Sequence, residues 1–164
     1  MPEIIVIAHN IRSTHNVGAI FRTADGFGVS NIILSGYTPY PKLTSGDTRL
    51  PHIAEKLTKQ IHKTALGAEA TVPFEYHEEI NLQALQTAGY RVVALEQSPR
   101  SVFLNQYNVP ETVALLLGEE VEGIAEELLE QCDDIVEIPM KGSKESFNVS
   151  VAAGVAMYGL TVQQ

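Results

Sequence analysis

The sequence predicts an α/β fold: one domain on a mostly parallel, six-stranded sheet flanked by helices. Three observations predict it. Short runs rich in Val and Ile alternate with stretches of helical periodicity, the pattern of strand–helix–strand units. Several of those runs are apolar throughout instead of alternating, as strands covered on both faces are. The chain has 164 residues, 45% of them apolar, enough for a single core, and no low-complexity stretch that could act as a linker. One domain over residues 1–164 is therefore expected, without an appended module.

Strands are expected at residues 4–8, 31–35, 70–75, 91–95, 112–117 and 135–138, each bounded by Gly, Pro or polar residues. The first helix follows the first strand, over 17–27, with Asn16 standing where its N-cap would be. A second, over 53–66, places Ile53, Leu57, Ile61 and Leu66 on one face and stops at Gly67. A short third covers 83–88 before Gly89, and a fourth, 124–132, carries Leu128 and Leu129 among many acids. The last, about 148–162, is small and apolar on nearly every side. Such a helix is expected to be buried, under the sheet or against a second subunit.

No basic region followed by an apolar run and a small-residue cleavage site opens the chain, and no apolar run is long enough to span a bilayer. Cys132 is the only cysteine. That excludes an internal disulfide and a cysteine-built metal site, and it points to the reducing cytoplasm. The net charge of −9 argues by itself against a nucleic-acid partner, because phosphate binding uses Lys and Arg. Its distribution matters more. Residues 1–66 hold seven Lys/Arg against four acids, a net of +3, whereas residues 67–164 hold four against sixteen, a net of −12. A mildly basic face on an acidic protein is one reading; chance asymmetry on an acidic surface is the other.

Ligands of open α/β sheets bind at the carboxyl ends of strands, and three segments there are chemically unusual. In the first, over 10–28, Asn16 and Gly18 precede Arg22, which sits among Ala19, Ile20, Phe21 and Ala24. A guanidinium fork in that setting suits a phosphate; an i,i+3 pair with Asp25 would account for it equally. In the second, an apolar strand runs into Gly118, then Glu119, Glu120, Glu122 and Gly123. This is neither G-x-G-x-x-G nor a phosphate loop with its lysine, and acids there repel a polyphosphate. A favourable place at a helix start explains Glu122; the flanking glycines suit close approach of a ligand to the backbone. The third runs from Ile138-Pro139-Met140 to Ser146-Phe147-Asn148-Val149-Ser150. Capping of the last helix accounts for Ser146 or Asn148, but not for both.

In order and spacing, these segments resemble the three motifs of the SpoU-type (TrmH-like) RNA 2′-O-methyltransferases of the SPOUT superfamily. The first motif is similar to Asn16-Val17-Gly18 with Arg22 and Gly28, the second to residues 118–124, and the third to Ile138-Pro139-Met140 with residues 146–150. Residues 63–69 also look familial, and the likeness covers nearly the whole chain. It implies a C-terminal trefoil knot, which general topology rules do not anticipate, and a homodimer through helices that include the last one. It implies S-adenosylmethionine, without a metal, held largely by backbone groups at Leu95, Glu96, Gly118 and Ile138-Pro139-Met140, with Ser146 and Phe147 closing the site.

The reaction so implied is in-line methyl transfer to a ribose 2′-hydroxyl of RNA, transfer RNA before ribosomal RNA. In the family the residue matching Arg22 is often assigned as the catalytic base. Arginine is effectively always protonated, so the expected part of Arg22 is to grip a phosphate and stabilise developing alkoxide charge. Asn16 would orient the ribose or Arg22, Glu120 would order the second motif and Asn16, and Ser146 and Asn148 would shape the third loop. Arg12, Lys42, Arg49, Lys56, Lys59 and Lys63 are the candidate phosphate contacts, each of which could equally be a solvated charge. Two features depart from the family: no separate RNA-binding domain stands before the first motif, and Phe147 replaces the common Leu or Met. Two other classes compete. An oxidoreductase or nucleotide hydrolase is opposed by the missing glycine and lysine signatures. A non-enzymatic RNA-binding or assembly factor is opposed by the intact Asn16, Arg22, Glu120, Ser146 and Asn148.

Overall fold

The computed structural model describes residues 1–162. Its strands are β1 (Glu3–His9), β2 (Asn31–Ser35), β3 (Phe74–His77), β4 (Arg91–Leu95), β5 (Val102–Phe103), β6 (Thr112–Leu117) and β7 (Asp134–Glu137). Its α-helices are α1 (Thr14–Phe27), α2 (Pro51–Ala65), α3 (Ala68–Thr71), α4 (Leu82–Thr87), α5 (Glu126–Leu129) and α6 (Val149–Val162). The seven strands form one sheet in the order β3-β2-β1-β6-β4-β7-β5, with every neighbouring pair parallel.

Side-chain alternation divides the interior into two cores. Ile4, Val6 and Ala8 of β1 face one, and Ile5 and Ile7 face the other. The first is covered by α1, α2, α3 and α6, the second by α4 and α5 through Leu82 and Leu129. A strand covered on both sides needs apolar residues at every position, which is why β6 reads Val113-Ala114-Leu115-Leu116-Leu117 with all five buried.

Strands at 31–35, 91–95 and 112–117 lie where the sequence places them. Two differences concern the sheet. The strand expected at 70–75 is instead the short helix α3 followed, after Pro73, by β3 at 74–77; Pro73 has no N–H to give, and its carbonyl accepts from Ile32 N at 2.9 Å where pairing with β2 begins. The sheet has seven strands, not six. The extra one, β5, is two exposed residues paired to β7, too short to show a period.

The helices also differ in detail. Ser13, not Asn16, caps α1, its hydroxyl accepting from Asn16 N at 3.2 Å. α5 keeps only four residues of the expected 124–132, because the preceding chain folds into a turn closed by Glu119 and Gly123. α6 is buried on one face only, through Ala153, Ala156, Met157 and Leu160. Val151, Val155, Tyr158 and Val162 form an exposed stripe on the other. Among the described residues no helix is long and apolar enough to cross a membrane.

Because the sheet is parallel, the carboxyl ends of β1, β2, β4, β6 and β7 share one edge. After β3 the chain crosses to the far side of β1, so the direction of winding reverses there, and that edge of such a reversal is where α/β folds bind ligands. α1 leaves this edge and lies tightly against α2. A Cβ on Gly18 would stand 2.1 Å from Thr64 Oγ1 and 2.2 Å from Ile61 O, so only glycine permits the contact.

Candidate active site

The three unusual segments meet through side chains. Glu120 accepts from Arg12 N at 3.4 Å, from Ser13 N at 3.5 Å and from Asn16 Nδ2 at 3.3 Å. Asn16 Oδ1 then accepts from Asn148 Nδ2 at 3.2 Å. These are long hydrogen bonds, but their polarity is fixed. A carboxylate only accepts, so the Asn16 amide must turn its nitrogen to Glu120 and its oxygen to Asn148. Asn148 Oδ1 in turn accepts from Ser150 N at 2.9 Å and Val151 N at 3.4 Å, capping α6. Capping of α1 by Ser13 is what leaves the Asn16 side chain free for this relay.

Beside the relay lies a cavity of about 270 Å³. It is walled by the loops after β4, β6 and β7 and by the start of α6. Of the expected cofactor contacts, Leu95, Glu96, Gly118, Ile138, Ser146 and Phe147 line it. Met140 does not: the chain leaves the wall after Ile138 and rejoins it at Glu145. Gln97, Glu137 and Glu145 line it as well and were not singled out in the sequence; the place of Gln97 just past the end of a buried strand is the one signal that could have marked it.

The loops are laced together by carboxylates and main-chain groups. Glu96 accepts from Ile124 N at 3.0 Å and Gln97 N at 2.8 Å, and Glu119 accepts from Glu122 N at 2.7 Å. Gln97 Nε2 donates to Glu145 O at 2.6 Å, and Ser101 donates to Glu137. Gly123 has φ +71°, and a Cβ there would lie 2.1 Å from Glu96 Oε2. Gly118 is required for a different reason than ligand approach. A Cβ there would meet Ile124 Cγ1 at 2.4 Å and the Gly123 carbonyl carbon at 2.8 Å, so it serves the turn itself.

Arg22 is exposed on α1 and has no ion-pair or hydrogen-bond partner among the described residues. The alternative pairing with Asp25 is absent; Asp25 accepts from Thr71 Oγ1 at 3.0 Å instead. Six residues carry Arg22 about 9 Å along the helix from Asn16 and to another side of it, so one copy of the chain does not bring Arg22 into the relay.

Of the candidate phosphate contacts, Arg49 is spent inside the protein, with Nη2 2.6 Å from Asp47 and its side chain 15% exposed. Lys42 pairs with Glu55 at 3.6 Å. Lys56, Lys59 and Lys63 recur at i, i+3 and i+7 along α2, all exposed. Burial pushes the Cys132 thiol up to about 11, which keeps it protonated and unreactive.

Solved RNA methyltransferases share this fold. The structure of an AdoMet-bound rRNA methyltransferase from Sinorhizobium meliloti matches with a TM-score of 0.77 and 26% identity, over 96% of this chain and 55% of that one. The chain belongs to the SpoU rRNA Methylase family, whose model matches residues 3–158. It is 34% identical to the 23S rRNA (guanosine-2′-O-)-methyltransferase RlmB of Neisseria meningitidis, over 95% of this chain and 57% of that protein. It is 30% identical to the tRNA (guanosine(18)-2′-O)-methyltransferase of Aquifex aeolicus, over 95% of this chain and 67% of that protein. The chain thus spans little more than half to two thirds of these relatives.

Proposed function

We propose that this chain transfers the methyl group of S-adenosylmethionine to a ribose 2′-hydroxyl of RNA in the cytoplasm, with transfer RNA as the preferred substrate. The observation that carries the reading is the Glu120–Asn16–Asn148 relay, which ties residues of all three motifs together at the wall of one cavity. Relatives of both kinds match, a ribosomal RNA enzyme at 34% identity and a transfer RNA enzyme at 30%, so the choice of transfer RNA rests on the family resemblance alone.

The residues present fit the cofactor. Six glutamates in the wall favour a positive centre and oppose a polyphosphate. Leu95, Leu117, Ile138 and Phe147 offer an apolar bed for a ring. Bound there, S-adenosylmethionine supplies a methyl group on a positively charged sulfonium. Ser146 and Phe147 border the cavity from the third loop, and Asn16 is held in one orientation for the ribose. Arg22 cannot take a proton from the 2′-hydroxyl; its part is to hold phosphate and stabilise developing negative charge.

Arg22 neighbours Ala19 and Thr23, which with Val151, Val155 and Tyr158 form an apolar groove between α1 and α6. We read this groove as the homodimer face, since four exposed apolar residues in a stripe favour a partner over water. A copy seated there puts Arg22 at the seam between the two. The trefoil-knotted threading of the C-terminal part belongs to the same proposal, as does RNA binding by this one domain through Arg12, Lys42, Lys56, Lys59 and Lys63.

Incubation with total RNA and labelled cofactor, followed by mapping of 2′-O-methyl positions, tests the reading. A labelled ribose in one class of RNA, lost with Arg22→Ala, is expected; unlabelled RNA, or label on a base, overturns it. S-adenosylmethionine and S-adenosylhomocysteine should raise the melting temperature, whereas ATP and NAD should not.

A further inference from the structure

A second cavity, of about 660 Å³, opens on the same sheet edge between the start of α1, the loop after β2, and α2. Of its lining, only Arg12 enters the scheme above, as a candidate phosphate contact. It contains one piece of chemistry twice. At its floor the Tyr40 and Tyr76 rings stack with centroids 3.9 Å apart and planes 14° from parallel, and the Arg49 guanidinium lies 3.5 Å over Tyr40. Arg49 is fully engaged there, donating to both Asp47 oxygens at 2.9 and 2.6 Å and to the carbonyls of Tyr40 and Pro41 at 2.8 and 3.1 Å. At the rim Arg12 stands over Tyr37, but 5.6 Å from its centroid. Tyr37 is 51% exposed and the Arg12 side chain 76%. The only ion pair of Arg12 among the described residues is a 3.9 Å contact with Glu119, weak at an exposed site. Both arginines lie within cation–π range of a tyrosine, but the lower pair is closed in, whereas the upper one is open to solvent.

The main chain that carries the upper tyrosine is nevertheless tied down. Tyr37 N donates to Asn10 Oδ1 at 3.1 Å, and Tyr76 donates to Gly36 O at 2.6 Å. Thr38 Oγ1, in a residue 2% exposed, accepts from Ile11 N at 3.0 Å and donates to Ala8 O at 2.9 Å. Gly36 has φ +65°, and a Cβ on it would lie 1.9 Å from Asn10 Oδ1. A rigid backbone carrying a solvent-facing ring is a stacking platform for an unpaired base. Cations for the backbone of that strand stand close by. Gln60 of α2 lines the cavity, and Lys56, Lys59 and Lys63 flank it on the same helix.

We propose that this cavity is a subsite for one unpaired nucleotide of the RNA substrate, its base stacked on Tyr37 and its phosphate taken by Arg12 as that side chain leaves Glu119. The nature of the polymer rests on the methyl-transfer reading above; the subsite adds where a nucleotide near the methylated one is held. The two cavities are mechanically joined, since the main chain of Arg12 and Ser13 donates to Glu120 of the relay at 3.4 and 3.5 Å.

The chain has no Trp, so Tyr37→Trp creates a stacking reporter free of background. Titration with a short single-stranded oligoribonucleotide should quench its emission. In Tyr37→Ala, checked for an unchanged fold by circular dichroism, affinity for the same dye-labelled strand should fall about ten- to a hundredfold, and KM for RNA should rise by a similar factor, while calorimetry shows S-adenosylmethionine binding retained. Arg12→Ala should lower the salt slope of RNA binding by about one. Unquenched emission at strand concentrations that saturate the wild type, or wild-type affinity in Tyr37→Ala, overturns the subsite. A protein that methylates RNA without these effects keeps the reaction and loses the subsite; one that shows them without methylating keeps the subsite and loses the reaction.

Discussion

Two cavities share the carboxyl edge of the sheet, and they are built from opposite materials. One is backbone laced by glutamates, with Glu96 accepting from a main-chain N–H of the neighbouring loop and Glu119 from one in its own. The other is a set of side-chain stacks, with tyrosines layered on one another and on arginine. On the proposed reading, the difference is how a chain of net charge −9 would handle a polyanion: acids gather where the cofactor's cation would sit, and bases where phosphate would lie. The Arg12–Glu119 contact at 3.9 Å marks the boundary.

The sharpest way to break this division is Arg22→Ala. Methylation should fall by about 10²- to 10³-fold in kcat, with S-adenosylmethionine affinity by calorimetry unchanged. A loss of cofactor affinity would assign Arg22 to the acidic cavity and blur the two regions. Next comes Gly18→Ala, which forces α1 away from α2 and the lysines that α2 carries. Overpacking of this kind costs roughly 1–3 kcal/mol, read by denaturant unfolding, and RNA affinity should fall with it.

Asn148→Ala removes the α6 cap, for about 1 kcal/mol, together with the donor to Asn16. Asn148→Asp keeps the cap but not that donor, so it should restore stability and leave kcat low; a variant with both restored would make the contact to Asn16 incidental.

The smallest effect concerns the closed arginine stack. The hydrogen bonds from Arg49 hold the Asp47 carboxyl well below the usual carboxylate range. A carboxyl lowered in the folded state contributes stability above its unfolded pKa and loses it as pH falls. Asp47→Asn should therefore lower the melting temperature at neutral pH, and the gap from wild type should close as the pH drops below about 4.

The central strands were legible because burial on both faces leaves an uninterrupted apolar run, as in 112–117. Edge strands were not. β3 alternates, with Phe74 and Tyr76 turned inward and Glu75 and His77 outward, and its identity depends on pairing with β2, whereas Thr71 and Val72 just before it carry the β-branched side chains that attract a strand assignment. The acidic cavity was largely readable because its parts follow strand ends in short motifs. The Tyr37 cavity was not, since Arg12, Tyr37, Gln60 and Tyr76 come from four separate stretches and no local pattern joins them. Asn16 stands where an N-cap would be but does not cap α1; capping falls to Ser13, three residues earlier.

Asn148 both caps α6 and donates to Asn16. The helix beyond it is a rod roughly 20 Å long, with Val151, Val155, Tyr158 and Val162 along its open side and Ala153, Ala156, Met157 and Leu160 fixed in the core on the other. One residue therefore anchors both the catalytic relay and the helix whose outer face is bare, so whatever covers that face rests on the same element that holds the Asn16 amide.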